Sequence, residues 1–266
     1  MKIRNHLLYL KSLLKIMFIS LMMLVSCNEN KEVRKTVSQQ IVLEKLTNSP
    51  SYSNATLELK ALNRAAYVSQ DSINFNFEVQ NYTLGTQTES ILKNELANSK
   101  KGQHIHFILN NQPYSAHYTN NFSKNIPNGV HHLVAFLSRS YHESVKNEKS
   151  VVVKKLVSGP NAKDTIGLNM EAPTIIYSRP KGKYTGKDAN RILLDFFVLN
   201  TSLSKDGNKV KVTINNQEFM LSEWSPYVIS GLPEGKATIS LELVNATGKY
   251  IPGPFNKVTR TIMIEK

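Results

Sequence analysis

The sequence predicts an all-β protein built as two consecutive β-sandwiches, and three observations support this. Apolar and polar residues alternate in short runs, as at Ile73, Phe75 and Phe77, which is the period of a sheet with one buried face. Clusters of Gly, Pro and Asn interrupt the chain too often for long helices. The chain also repeats itself, and the repeat sets the number of domains.

The two halves of the chain can be aligned with each other. The matching segments, first copy before second, are GQHIHFILNNQPY at 102–114 with GNKVKVTINNQEF at 207–219, INFNFEVQNYTL at 73–84 with ILLDFFVLNTSL at 192–203, and IPNG at 126–129 with LPEG at 232–235. About seven short strands in roughly 100 residues is the count expected for an immunoglobulin-like or fibronectin-like sandwich. We therefore predict an internal duplication that produces two tandem sandwiches.

The domain boundaries follow from this alignment. The first sandwich is predicted over 51–160, and it contains all the histidines that follow the leader. The second sandwich is predicted over 172–266. One short helical insert, TESILKNELANSK at 88–100, lies in the first copy and has no counterpart in the second.

The N-terminus is typical of a secretory leader. Residues 1–15 carry four basic residues and no acid, and the apolar run IMFISLMMLVS follows. This run is shorter than a transmembrane helix. The segment LVSC at 24–27 resembles the cleavage box of bacterial lipoproteins. This resemblance implies that 1–26 is a signal peptide and that Cys27 becomes the lipidated N-terminus.

Residues 27–50 are polar and end in a turn-forming Asn-Ser-Pro, so we predict that they tether the protein to the membrane. Asn28 follows Cys27, and this resembles the outer-membrane sorting pattern of double-membraned bacteria. The expected location is therefore the outer membrane, with the protein facing the periplasm or the outer surface. Cys27 is the only cysteine, so a disulfide within the chain is excluded.

The chain remains basic after the leader is removed, with 29 Lys and Arg against 20 Asp and Glu. Such a charge favours solubility near an anionic membrane or an anionic partner. Nucleic acid is not expected as a partner, because the leader predicts a location outside the cytoplasm and the sequence has no stripe of basic residues interleaved with aromatic residues.

Histidines concentrate on two predicted neighbouring strands of the first sandwich. If Asn110 and Asn111 form a two-residue hairpin turn, His104 pairs with His117, and Phe107 with Tyr114 on the apolar inner face. His104, His106 and His117 then share the outer face at a spacing that could hold one ion. His132 is expected to join them from the next strand.

Two interpretations of these histidines remain open. The candidate ligands of a zinc or copper ion are His104, His106, His117 and His132, with His131 and His142 as secondary candidates, since neutral imidazole suits both ions. The alternative is ordinary half-exposed sheet histidine with no metal. Ile108, Val134 and Phe136 also fall on the outer face, so we expect the insert helix (through Ile91, Leu92 and Leu96), a ligand or the second domain to cover it.

Three segments of the first copy, GQHIHFIL, GVHHL and SYHES, resemble a family of small secreted bacterial domains of unknown function. That family has a Gly-x-His-x-His strand, a Gly-x-His-x-Leu strand and a later histidine. The resemblance implies a shared site at His104, His106, His131 and His142. Over its mature length the chain is also similar to uncharacterised two-domain bacterial lipoproteins that are sometimes labelled phosphopeptide-binding.

Clustered basic residues could provide such an anion site. The candidates are Arg179, Lys181, Lys183 and Lys187 in the segment 178–191, together with Arg139 of the first copy. The alternative is a solvated loop between strands.

No catalytic motif is present: the chain lacks GxSxG, HExxH and CxxC patterns, and we predict that it is not an enzyme. The first functional hypothesis is a lipid-anchored, non-enzymatic binding or accessory protein whose first domain carries the functional face and recognises a protein or peptide partner. The alternatives are a zinc- or copper-binding protein, a phosphopeptide- or other anion-binding protein, and a passive spacer.

Overall fold

The computed structural model describes residues 40–62 and 72–266. The predicted signal peptide, Cys27 and the first part of the predicted tether lie outside the described residues. Within the described part of the chain, no helix is both long enough and apolar enough to cross a bilayer.

The first sandwich consists of two antiparallel sheets. Its strands are β2 (Thr56–Leu62), β3 (Ser72–Gln80), β4 (His104–Leu109), β5 (Ser115–His117), β6 (Asn121–Asn125), β7 (Gly129–Ser138) and β8 (Val151–Ser158). One sheet has the order β2-β3-β6, and the other β5-β4-β7-β8. Side chains from both sheets, including Phe75, Phe77, Ile105 and Phe107, form the core between them. Burial alternates along β3 as predicted.

The second sandwich repeats this arrangement. Its strands are β9 (Thr174–Arg179), β10 (Lys183–Thr185), β11 (Ile192–Leu199), β12 (Lys209–Ile214), β13 (Gln217–Leu221), β14 (Tyr227–Ser230), β15 (Gly235–Val244) and β16 (Lys257–Glu265). The sheets have the orders β14-β11-β9 and β10-β16-β15-β12-β13, with one further strand at the β14 edge. Because β4 and β7 lie side by side as β12 and β15 do, the aligned segments take equivalent places in the two copies. The prediction of tandem β-sandwiches is confirmed.

The further strand comes from the predicted tether. β1 (Val42–Lys45) pairs with β14 in antiparallel fashion, so part of the segment 27–50 belongs to the second sandwich and is not a free linker. Ile41 is buried in the core of that sandwich, and Leu43 packs against the same core. The two apolar positions, Ile41 and Leu43, are too few to predict a strand within a polar stretch of sequence.

The predicted helical insert is one short helix, α1 (Leu92–Glu95), and two single 3-10 turns occur at Glu148–Ser150 and Gly186–Ala189. Leu92 and Leu96 pack into a small cluster with Tyr141, whereas Ile91 is exposed. The insert therefore does not cover the apolar outer face of the first sandwich.

The second sandwich covers that face instead. Ile108, Val134 and Phe136 pack against Ile176 and Phe197, and the rings of Phe136 and Phe197 have centroids 4.4 Å apart. Of the three coverings that the sequence allowed, the second domain is the one observed. The two sandwiches thus share an apolar interface.

Polar contacts complete this interface around Asn111, which has a φ of 55° in the hairpin turn. Its side-chain amide donates to the carbonyl of Ile175 at 3.1 Å and accepts from the amide of Tyr177 at 2.8 Å. Arg260 donates to the carbonyls of Asn111 at 3.2 Å and Tyr177 at 2.6 Å. Buried backbone groups at the edge of β9 are therefore satisfied by Asn111 of the first copy and by Arg260 of the second.

Candidate metal centre at the domain interface

His104 and His106 point away from the core of the first sandwich. They alternate along β4 with Ile105 and Phe107, which are buried in that core. The outer face lies against the second sandwich, so both imidazoles have no exposed surface. Burying imidazole without partners is costly, and the contacts of these rings therefore indicate their role.

His142 joins the two rings from the turn that follows β7. Its backbone has a φ of 71°, and its amide donates to the carbonyl of Arg139 at 2.9 Å. An ion pair of 3.1 Å between the buried side chains of Arg139 and Glu143 closes this turn. The turn thus directs the imidazole of His142 back toward β4.

The three imidazoles converge on one point. The Nε2 atoms of His104 and His106 are 2.9 Å apart, and the Nδ1 atom of His142 is 3.2 Å from Nε2 of His104. All three nitrogens lie within 4.8 Å of one another. Nitrogens that share a tetrahedral ion at ~2.0–2.1 Å are about 3.3 Å apart, so small movements of the rings would admit an ion.

The groups behind these rings fix which nitrogens face the centre. Nδ1 of His104 donates to the carbonyl of Gly102 at 2.8 Å, which leaves Nε2 of the neutral ring with a lone pair. Nδ1 of His106 is 3.2 Å from Oγ of Ser178 in the second sandwich. Supporting hydrogen bonds of this kind orient histidine ligands in metal sites.

Gly102 is required for this arrangement. Its φ is 84°, and a Cβ there would lie 2.3 Å from the carbonyl oxygen of Thr86. Any other residue would shift the strand entry, and the carbonyl that holds His104 would move with it.

Tyr114 covers one side of the centre. Its ring stacks on His106 with centroids 3.5 Å apart and planes inclined by 12°, and its hydroxyl is 3.2 Å from Nδ1 of His142. Since His106 occupies one face of the phenol ring, Lys181, whose Nζ is 3.7 Å from the centroid, lies over the other. Arg179 lies beside the same ring and donates to the hydroxyl of Tyr184 at 3.1 Å.

Burial keeps the three imidazoles neutral. It lowers the pKa of His104 from 6.5 to about 4, because the charged form loses its hydration. Burial is also the main cause of the lowered pKa of His106 and of His142, and the positive charges of Arg179 and Lys181 lower both pKa values further. The neutral ring is the form that binds a metal ion.

His117, a predicted ligand, lies elsewhere because the hairpin register differs from the predicted one. The turn at Asn110 and Asn111 is as predicted, with positive φ at both residues, but Ile105 faces His117 and Phe107 faces Ser115. One extra residue sits in the second strand at Pro113, which has no amide hydrogen for the ladder.

A slip of one residue exchanges the two faces of a strand. His117 therefore moves inward, where its ring stacks on Phe122 at 3.4 Å, and its Nε2 contacts Oγ of Ser115 at 2.9 Å. Tyr114, which was predicted on the inner face, moves out to the histidines.

His132 is also not part of the centre. It lies on the predicted face of β7, but His104 faces Ser138, so His132 is six positions further along the strand, or roughly 20 Å. Its ring instead lies parallel to Phe255 at 5.5 Å. The alternation fixed the face of the strand but not its register against β4.

The remaining secondary candidate, His131, makes separate contacts. Its Nδ1 is 2.9 Å from the side-chain amide nitrogen of Asn110, and its Nε2 is 2.9 Å from the backbone carbonyl oxygen of Pro127. It lines a cleft of about 360 Å³ beside the hairpin. It is therefore apart from the three converging rings.

The candidate anion-binding residues do not form one site. Arg139 is engaged by Glu143 and by the carbonyls of Ser144 and Pro50. Lys183 pairs with Glu265 at 2.6 Å on the surface, and Lys187 is exposed. Only Arg179 and Lys181 are together, against Tyr114.

The comparisons with known proteins add likenesses of architecture. No protein-family model matches the chain, and no curated protein matches it. The fibronectin(III)-like modules of Clostridium thermocellum CbhA are 10% identical, covering 77% of this chain and 93% of that one, with a TM-score of 0.28. The central fibronectin-III array of RIM-binding protein is 11% identical, covering 84% and 71%, with a TM-score of 0.27.

A third similar structure is SGBP-B of the Bacteroides ovatus mixed-linkage glucan utilization locus, in complex with a heptasaccharide. It is 13% identical, covering 83% of this chain and 47% of that one, with a TM-score of 0.22.

Proposed function

We propose that this chain is a non-enzymatic metal-binding protein of the bacterial envelope, and that His104, His106 and His142 hold one transition-metal ion between its two sandwiches. The observation that carries the proposal is the convergence of three neutral imidazoles, with His104 fixed by the carbonyl of Gly102. Imidazole ligands suit zinc and copper.

A hydrogen-bonded cluster without an ion accounts less well for this geometry. Nε2 of His104 has one lone pair, yet ring nitrogens of both His106 and His142 lie within 3.2 Å of it. Only one of them can donate along that lone pair. If His106 donates, Nδ1 of His142 can accept from the hydroxyl of Tyr114, but its approach to Nε2 of His104 at 3.2 Å then brings two lone pairs together. An ion at the centre satisfies all three nitrogens at once.

The second copy shows that the fold does not need imidazole here. The positions equivalent to His104 and His106 are Lys209 and Lys211, and the partly buried Lys211 pairs with Glu242 at 3.3 Å. Aliphatic side chains would fill the buried interface of the first copy at lower cost. Three imidazoles at this place are therefore better explained by a ligand than by packing.

We expect the purified full-length protein in detergent to retain about one zinc or copper ion per chain. The double variant His104→Ala, His106→Ala should lose it, because a single remaining imidazole is a weak ligand. Elemental analysis after gel filtration measures the bound metal.

His132→Ala is the matched control, since it removes a buried histidine of the same domain that lies away from the centre. It should retain the ion. Equal metal contents in the wild type and the double variant would contradict the proposed function.

The lipid anchor is part of the same proposal, and it is supported by the leader and by Cys27. A Cys27→Ser variant should move from the membrane fraction to the soluble fraction, or remain as an unprocessed precursor, because no acyl chains can be attached. Fractionation and the mass of the mature N-terminal peptide measure this. An unmodified Cys27 in the membrane-bound wild type would contradict the anchor.

A further inference from the structure

The charges around the histidine centre are positive. Arg179 and Lys181 lie 5.3 and 3.7 Å from the centroid of the Tyr114 ring, which stacks on His106. Arg260 donates to the carbonyl of Ser178 at 3.0 Å, and the hydroxyl of Ser178 contacts His106. Each of these cations belongs to the second sandwich or to the turn after β9. The centre is thus approached by cations from the domain that covers it.

No carboxylate of the described residues compensates these charges at the centre. Glu143 follows His142 directly, but it is turned toward Arg139 and Ser49. Asp195 is held by Ser144 and Lys146. A metal ion at the three nitrogens would therefore face neutral ligands and neighbouring cations, and the resulting repulsion is proportional to the charge of the ion.

The number of ligands is also low. An ion bound by His106 lies in the plane of that imidazole, whereas the ring of Tyr114 is parallel to it at 3.5 Å. The phenol oxygen is then too far out of the plane to be a ligand. The centre offers three nitrogens, and the rings of His104 and His106 are fully buried.

These features discriminate between zinc and copper. Zinc carries two charges and is almost always four-coordinate in structural sites. Univalent copper carries one charge and is stable with two or three ligands. Of the ions that imidazole binds, univalent copper is repelled least and is satisfied by three nitrogens.

We infer that the centre selects univalent copper, Cu(I), over divalent zinc. This inference rests on the proposed function and specifies its ion. The neighbouring cations and the set of only three nitrogen ligands together favour Cu(I) over Zn(II).

The test measures the affinities of the full-length protein for both ions. Cu(I) is titrated under reducing, anaerobic conditions against bathocuproine disulfonate, and Zn(II) against a chromophoric zinc chelator. We expect Cu(I) to bind at least 100-fold more tightly than Zn(II) (roughly two factors of ten in the equilibrium constant). The variant His104→Ala, His106→Ala should lose the Cu(I) affinity.

A second variant tests the electrostatic cause. Lys181→Met removes a charge from the far face of Tyr114 but keeps the length of the side chain. Both affinities should rise, and because the interaction is linear in ionic charge, the factor for Zn(II) should be about the square of the factor for Cu(I). Lys183→Met is the control, because that lysine is exposed and paired with Glu265, and it should change neither affinity.

The outcomes separate this inference from the proposed function. Zn(II) binding as tight as Cu(I) binding, lost in the histidine variant, would overturn the choice of copper and leave a metal-binding protein. Equal factors for the two ions in Lys181→Met, in a variant whose thermal unfolding matches the wild type, would overturn the electrostatic argument. Failure of both ions to bind would overturn both proposals.

Discussion

Replacement of Asp195 by alanine is expected to lower the free energy of unfolding by about 3–5 kcal/mol, as is typical when one partner of a buried ion pair is removed. Asp195 is fully buried at an irregularity in the pairing of β11 with β9. It accepts hydrogen bonds from Oγ of Ser144 at 2.9 Å and from the amide of Ser144 at 3.3 Å, and it pairs with Lys146. Both partners belong to the other sandwich, so alanine leaves a nearly buried ammonium uncompensated at the interface.

Denaturation in urea, followed by fluorescence, measures this effect. Glu265→Ala is the matched control, because it removes a carboxylate from an exposed pair with Lys183, and such pairs contribute roughly 0–1 kcal/mol. Similar midpoints for the two variants would show that Asp195 does not hold the sandwiches together.

The second large effect is a loss of stability in acid. The pKa of His104 is about 4 in the folded protein, as are those of His117 and His132, and those of His106 and His142 are lowered as well. In the unfolded chain a histidine pKa is ~6.5. Between these values the unfolded state binds more protons, so stability falls as the pH falls.

We expect the free energy of unfolding of the metal-free protein to decrease from about pH 6.5 toward pH 4, by up to about 1.4 kcal/mol per pH unit for each such histidine. Urea midpoints at intervals between pH 7.5 and 4.5 measure this slope. In the variant His104→Gln, His106→Gln the slope should be smaller, since two of the groups are gone. A stability that is constant or rises on acidification to pH 5 would contradict the burial of neutral imidazoles.

Local patterns in the sequence were sufficient for much of the fold. The alternation at Ile73, Phe75 and Phe77 predicted a buried sheet face, and the Asn110-Asn111 turn was located correctly. The duplication predicted that the second copy would repeat the first. These features depend on residues close in the chain or on direct comparison of the copies.

The site itself depended on features that are not local. Pro113 shifts the hairpin by one residue, which removes His117 from the histidine face and adds Tyr114. The register of β4 against β7 places His132 far from the centre. Neither register can be read from alternation, because alternation fixes only the face on which a residue lies.

His142 was only a secondary candidate, although it is the third converging ring. Its position depends on a left-handed backbone and on the Arg139–Glu143 ion pair, which a sequence pattern does not specify. Ser178 lies in the other sandwich, 72 positions away from His106. The apolar residues of the first copy indicate that its outer face is covered, but they do not specify which residues of the second copy lie against the histidines.

The difference between the copies has one structural cause. The outer face of β4 is covered by the second sandwich, and its residues are buried, whereas the equivalent side chains of β12 are only partly buried. On β12, Lys209 and Lys211 keep contact with solvent. On β4, the equivalent positions are covered and carry the neutral imidazoles of His104 and His106. The candidate site thus lies where the first sandwich packs against the second.

Anomalous X-ray scattering from crystals of the copper-loaded protein tests the central claim most directly. We expect one metal peak between the sandwiches, at ~2.0 Å from Nε2 of His104, Nε2 of His106 and Nδ1 of His142 (the usual length of a metal–imidazole bond). A peak at His117, His131 or His132 instead, or no peak in protein that was loaded with copper, would contradict it.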